Sequence, residues 1–88
     1  MVYVDDPIWP LGRMKMCHMI ADSLEELHQM ADTIGVARRH FQDGRNKHYD
    51  VCRSKRALAI EHGAKEVTSK QIVEILKEQR TQQHATGD

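Results

Sequence analysis

The sequence predicts a small α/β domain: a short mixed sheet of about four strands with three helices. Three observations lead there. The chain has 88 residues, enough for one domain and no more. Short β-type runs alternate with segments of helical periodicity. Twice a helical segment ends in a glycine followed by a small apolar residue and a new β-type run, at Gly35–Val36 and again at Gly63–Ala64. That weak repeat suits an alternating α/β chain with some parallel pairing, and an α+β meander remains compatible with it.

The elements follow in order. Val2 to Val4 is a β-type run halted by Asp5-Asp6-Pro7, since proline lacks an amide donor and restricts the residue before it. Ile8 to Arg13, with Trp9-Pro10 and Gly12, reads as a loop. Met14 to Ile20 reads as a strand that puts Met14, Met16, His18 and Ile20 on one face and Lys15, Cys17 and Met19 on the other. Asp22 or Ser23 caps the first helix, each followed three residues later by a glutamate as in a capping box. Leu24, Leu27, Ala31 and Ile34 share its apolar face, and Gly35 suits a left-handed C-terminal position. A short strand is expected around Arg39 to Phe41, and Gln42 to Lys47, with Asp43-Gly44, reads as a turn. Asp50 or Ser54 caps a second helix to about His62, ended by Gly63; Ala64 to Val67 is a strand. Thr68, with Gln71 at the box position, caps a third helix whose apolar face is Ile72, Val73, Ile75 and Leu76. Residues 1–78 thus form the domain, and 79–88 read as a flexible polar C-terminal tail.

Composition narrows the function classes. Thirteen basic and thirteen acidic residues cancel, which argues against non-specific nucleic-acid binding driven by excess cations. Cys17 and Cys52 lack CxxC spacing and read as reduced thiols. The start MVYVDD does not look like a secretory leader, and no apolar run reaches the roughly 20 residues of a membrane span, so the expectation is a soluble, cytoplasmic protein. A chain this short buries only about 60–65% of its unfolded surface, so a homodimer would usefully extend the core.

The chemistry-bearing residues gather near element ends. Asp5 and Asp6 follow a strand directly, where α/β proteins hold metals or substrate hydroxyls; taken alone, the pair is better explained by plain turn chemistry. His48 and Asp50 lie just before a helix. Asp50 serves as a cap, or joins His48 as acid/base or metal ligand, and their spacing points them the same way only if the segment is extended. His18, on an apolar strand face, needs a polar partner, which Asp5, Asp6 or Asp50 can supply. Lys55 and Arg56 stand in the first turns of the second helix, where the macrodipole disfavours cations, so an anion is one explanation and local ion pairing another. Arg13 can add to an anion site. There is no Walker loop, GxGxxG, HExxH or nucleophile elbow.

Taken together, YVDD at Tyr3 to Asp6, the Trp9-Pro10 loop, CHMIADSLEELH from Cys17, HFQ from His40, HYD from His48 and SKRALAIEHGA from Ser54 resemble a small family of bacterial and phage domains of unknown function. The resemblance spans the chain up to the third helix and implies a bacterial or phage origin, with no activity attached.

Three readings of function follow. In the first, Arg13, His48, Lys55 and Arg56 bind a phosphate-bearing small molecule or nucleic-acid end, with Trp9 or Tyr49 packing on a base. In the second, Asp5, Asp6 and Asp50 hold Mg²⁺ or Mn²⁺ for phosphodiester hydrolysis, with His48 or His18 as acid/base. In the third, the domain is a protein-interaction module that uses the third helix or the Met14–Met19 stripe. The unusual position of the paired cations favours the first.

Overall fold

The sheet is organised around its longest strand, in which side chains alternate between two buried environments. The computed structural model describes the backbone of residues 1–6, 9–11, 14–44 and 46–86, and within these the side chains of 1–6, 16–44 and 46–81. Its strands are β1 (Val2–Val4), β2 (Trp9–Leu11), β3 (Met14–Ala21), β4 (Phe41–Asp43), β5 (Lys47–Cys52) and β6 (Lys65–Glu66). Its helices are α1 (Leu24–Ile34), α2 (Arg53–Glu61) and α3 (Ser69–Thr86), with a 3-10 turn at Arg38–His40. The sheet order is β4-β5-β3-β1-β6, and β2 also pairs with β3. Only β6, beside β1, runs parallel to its neighbour among the described strands, so the sheet is mixed, as expected.

β1 and β2 lie in succession along one edge of β3. Val4 faces Met19 whereas Trp9 faces Met16, so the two strands meet β3 in different registers. β5 occupies the other edge, with Cys17 facing Val51 and His18 facing Asp50. Because side chains alternate along a strand, one face of the sheet carries Val2, Val4, Cys17, Met19, Tyr49 and Val51. These pack against Leu27, Met30, Ala31 and Ile34 of α1 and Ala59 of α2 in the main core. On the opposite face, Ile20 and Tyr3 meet Val67, Ile72, Ile75 and Leu76, so α3 covers part of that side.

Local signals explain most boundaries. Ser23 caps α1, its Oγ accepting from the Glu26 amide at 3.2 Å. Thr68 and Gln71 close a reciprocal box: the Gln71 amide donates to Thr68 Oγ1 at 3.1 Å and the Thr68 amide to Gln71 Oε1 at 2.8 Å. Gly35 and Gly63 adopt φ of 79° and 101°, the left-handed region that ends a helix without a Cβ clash.

Four local expectations are corrected. Trp9–Leu11 is a strand rather than loop, held by β3. His48-Tyr49-Asp50 lies within β5 rather than in a helix lead-in, and α2 begins after Cys52, which provides no side-chain cap. The short strand near Phe41 starts only there, after the 3-10 turn. Leu24 and Val73 are exposed, at 43% and 59%, and Met30 takes the place expected of Leu24 in the core. In addition, α3 continues through the segment read as a polar tail. Gln79 donates to the Ala21 carbonyl at 2.7 Å and Arg80 to Asn46 Oδ1, so polar side chains tie this stretch to the sheet. No described helix is long and apolar enough to cross a membrane.

Lys55 occupies a structural position. Its Nζ donates to the Ile34 carbonyl at 2.8 Å, at the C-terminus of α1, and a Cβ on Gly35 would come within 3.1 Å of it. A cation disfavoured by the start of its own helix is here favoured by the end of another. Lys55→Met, which keeps the stem, is expected to lower the unfolding free energy by about 1 kcal/mol in urea titrations; unchanged stability would show that the capping bond contributes nothing.

Candidate metal centre

Strand alternation brings His18, His48 and Asp50 to the same sheet face. His18 pairs with Asp50 across β3 and β5, and His48 follows two residues before Asp50 on the same side. Each offers one ligand atom, and these atoms lie within 4.8 Å of one another. The two imidazole rings meet edge to face with centroids 5.4 Å apart. All three residues are half-buried, beside the part of the face that α3 covers.

Each imidazole is oriented from behind. His18 Nδ1 donates to Asp5 Oδ2 at 2.7 Å. His48 Nδ1 lies 2.8 Å from the Asn46 backbone carbonyl, an acceptor only, so that nitrogen carries a proton. This is how metal-binding histidines are commonly held, the outer ring nitrogen donating to a carboxylate or carbonyl. The nitrogen that a cation would have to use is then Nε2 on both rings. In His48, Nε2 sits 3.3 Å from Asp50 Oδ1. Asp50 is an acceptor only, so what joins the two atoms is a proton or a cation.

Asp5 is fully buried, at 0% exposure. Its Oδ1 accepts from the His18 amide at 2.7 Å, and its Oδ2 accepts from His18 Nδ1 and, at a longer 3.4 Å, from Ser69 Oγ. Its amide donates to the His18 carbonyl at 3.2 Å, and its own carbonyl accepts from Arg56 Nε at 2.7 Å. The hydrogen bond that His18 donates to Asp5 pushes the His18 pKa up, outweighing the opposing effect of burial, which makes the ring's other nitrogen a stronger electron-pair donor to a metal.

The expected site residues therefore divide. His18, His48 and Asp50 come together. Asp5 adjoins them but is spent on His18, and Asp6 is exposed and lies 3.7 Å from Arg56. Of the three carboxylates expected to hold a metal, Asp50 alone belongs to the cluster. Lys55 and Arg56 do not form an anion site together: Lys55 reaches α1, while Arg56 binds the Asp5 carbonyl and, at 3.0 Å, Glu66. Tyr49 is buried with its hydroxyl 2.7 Å from His28 Nδ1, so it offers no surface for a base. Arg13 and the Trp9 side chain lie outside the described residues. Both cysteines are free, and burial pushes the Cys17 thiol up to about 11, which removes it as a nucleophile.

Sequence reasoning missed Asn46, Ser69 and Arg80. The signal for the β5 face was present, since His48 to Val51 alternates polar and apolar residues. Nothing in the sequence marks Asn46 or Arg80.

Fold and site together define a small mixed α/β domain with a His–His–Asp cluster on the partly open face of its sheet. The chain belongs to the family described as "Protein of unknown function (DUF4031)", which it matches over residues 2–79. No curated protein and no solved structure matches it significantly.

Asp5→Ala removes the acceptor for a buried amide and for the His18 ring. It is expected to cost about 2–3 kcal/mol in chemical denaturation. A loss below about 0.5 kcal/mol, the range of ordinary surface changes, would mean that these bonds do not hold the strands together.

Proposed function

We propose that the domain is a divalent-metal-dependent hydrolase in which His18, His48 and Asp50 are the metal ligands and Asp5 positions His18. The observation that carries this reading is the approach of His48 Nε2 to Asp50 Oδ1 at 3.3 Å, on a ring whose other nitrogen is committed to a carbonyl. His18, His48 and Asp50 would hold a divalent cation, each offering one ligand atom.

The donor set speaks to the metal. Two imidazoles and one carboxylate suit Zn²⁺, Mn²⁺ or Fe²⁺ better than Mg²⁺, which prefers oxygen ligands and retains its waters. Three protein ligands leave coordination positions for water and substrate, as catalytic sites require. A metal held there supplies Lewis acidity and brings water toward ionisation near neutral pH. In the hydrolysis, the oxygen of water bonds to the electrophilic centre of the ester. The bond to the leaving oxygen breaks, and that oxygen departs with the electron pair and takes up a proton from solvent, to which the base later returns its own. The proton released by water passes to the second carboxylate oxygen of Asp50.

The metal-free phosphate-binding reading drew its support from Lys55 and Arg56, and both cations have partners within the chain. The protein-interaction reading is supported by exposed Val73, but Ile72, Leu76 and Met19 are buried in the chain's own core.

Protein stripped of metal and reloaded with Mn²⁺ or Zn²⁺ is expected to hydrolyse the activated diester bis(4-nitrophenyl) phosphate, with His48→Ala and Asp50→Ala falling to background. Asp5→Asn is expected to keep the ligands while weakening metal affinity about 10- to 100-fold by calorimetry, the usual effect of losing an outer partner. Equal rates with and without metal, or in the ligand variants, would sink the proposal.

A further inference from the structure

Both imidazoles of the cluster are supported from behind by residues that α3 itself holds. Behind His18 stands Asp5, whose Oδ2 accepts from the His18 ring at 2.7 Å and from Ser69 Oγ at 3.4 Å. Behind His48 stands Asn46, whose backbone carbonyl accepts from His48 Nδ1 at 2.8 Å while its side-chain oxygen accepts from the Arg80 guanidinium. Ser69 opens α3, and Arg80 lies three turns further on, about 16 Å along the axis at 1.5 Å per residue. The helix thus reaches from the outer partner of one imidazole to that of the other. Between these two ties its apolar docking is thin. Ile72 and Leu76 are buried with Ile20 and Val67, and Ile75 and Tyr3 are partly buried against them. A further polar tie runs from Gln79 Nε2 to the Ala21 carbonyl at 2.7 Å. An element with so little buried apolar surface opens more readily than the core, so its polar ties carry a large share of its docking.

We infer that α3 is a clamp on the metal centre: Arg80, through Asn46, and Ser69, through Asp5, are positioning residues for the two imidazoles, so that metal binding and the docking of α3 stabilise each other. The inference rests on the metal-centre reading above and adds the element that controls it. A histidine ligand depends on the partner of its outer nitrogen, and loss of that partner commonly costs about 10- to 100-fold in metal affinity. Asn46 precedes β5, and its side chain is held by a residue 34 positions away, so the carbonyl that receives His48 Nδ1 is aimed from α3. A guanidinium suits that task, because its planar donors are pre-organised where an ammonium is a compact charge on a flexible stem. Arg80 lies on the Nδ1 side of His48, so its effect on a cation at Nε2 passes through Asn46. Ser69 has the smaller share: its bond to Asp5 is long, and Asp5 also accepts from the His18 amide at 2.7 Å. With α3 undocked, both rings lose part of their support and the cluster holds a cation less tightly. Such coupling is reciprocal. The factor by which undocking weakens the metal is the factor by which the metal suppresses undocking.

The test uses the full chain with Mn²⁺ as the probe. In calorimetry, Arg80→Met, which keeps an unbranched stem and removes the donors, is expected to bind Mn²⁺ about tenfold more weakly, the low end for loss of an outer partner. Arg80→Lys should recover part of that loss. Ser69→Ala should cost about twofold, as suits a long hydrogen bond. Val73→Ala, at an exposed position of the same helix, should bind as the wild type does. Hydrogen exchange gives the reciprocal reading. In the wild type, saturating Mn²⁺ should slow exchange of the α3 amides from Ile72 to Arg80 by about tenfold or more, and in Arg80→Met that slowing should shrink. Unchanged Mn²⁺ affinity in Arg80→Met overturns the role of Arg80 and leaves the metal centre standing. Exchange of α3 that is the same with and without bound Mn²⁺ overturns the coupling, and this measurement decides alone if Arg80→Met does not fold. Failure of the wild-type chain to bind Mn²⁺ removes the metal centre and this inference with it.

Discussion

The buried carboxylate of Asp5 is the interaction on which the other contacts depend. Removing a carboxylate from water costs several kcal/mol unless hydrogen bonds replace its hydration. Here the replacements come from the His18 amide, the His18 ring and Ser69, which begins α3. The Asp5 backbone bonds back to His18 and receives Arg56 from α2. One residue thus joins β1, β3, α2 and α3 at the end of β1. It also fixes the His18 ring, so the bonds that hold the strands together are the bonds that aim a prospective ligand. Within the described residues no buried side-chain polar atom is left without a partner, so this polar junction is fully satisfied.

The two sheet faces have different tasks because a strand has period two. Cys17, Met19, Tyr49 and Val51 point into the core under α1 and α2, while His18, His48 and Asp50 point the other way. α3 covers Ile20 on that second face and leaves the cluster beside it reachable. The cations of α2 have structural tasks: Lys55 satisfies the end of α1, and Arg56 braces the Asp5 junction. Arg80, from α3, donates to the Asn46 side chain.

Where the local code is strong, the sequence was readable. The Ser23–Glu26 and Thr68–Gln71 boxes, the stops at Gly35 and Gly63, and the Met14–Ile20 strand with His18 on one face all correspond to signals carried by a few neighbouring residues. The misreadings arose where long-range pairing decides. His48-Tyr49-Asp50 resembled a helix lead-in because Asp50 is a good cap, although the alternation from His48 to Val51 already marked a strand. Trp9–Leu11 is a strand only because β3 lies beside it; its Pro-containing sequence argues for a loop. Of the site, His18, His48, Asp5 and Asp50 were legible by residue type. Their division into ligands and support was not, because it depends on which edge of β3 each segment takes. The paired cations looked odd next to their own helix start, and the helix end that explains Lys55 is 21 residues away in sequence.

The most direct test of the account is the position of a metal. Crystals of the full chain grown with Mn²⁺, with data collected for anomalous scattering, would locate it without reliance on activity. The account predicts one strong peak within about 2.0–2.3 Å of a ring nitrogen of His18, a ring nitrogen of His48 and a carboxylate oxygen of Asp50. A peak at other residues, or none at saturating Mn²⁺, would contradict it and leave Asp5, His18, His48 and Asp50 as a polar junction that only holds strands together.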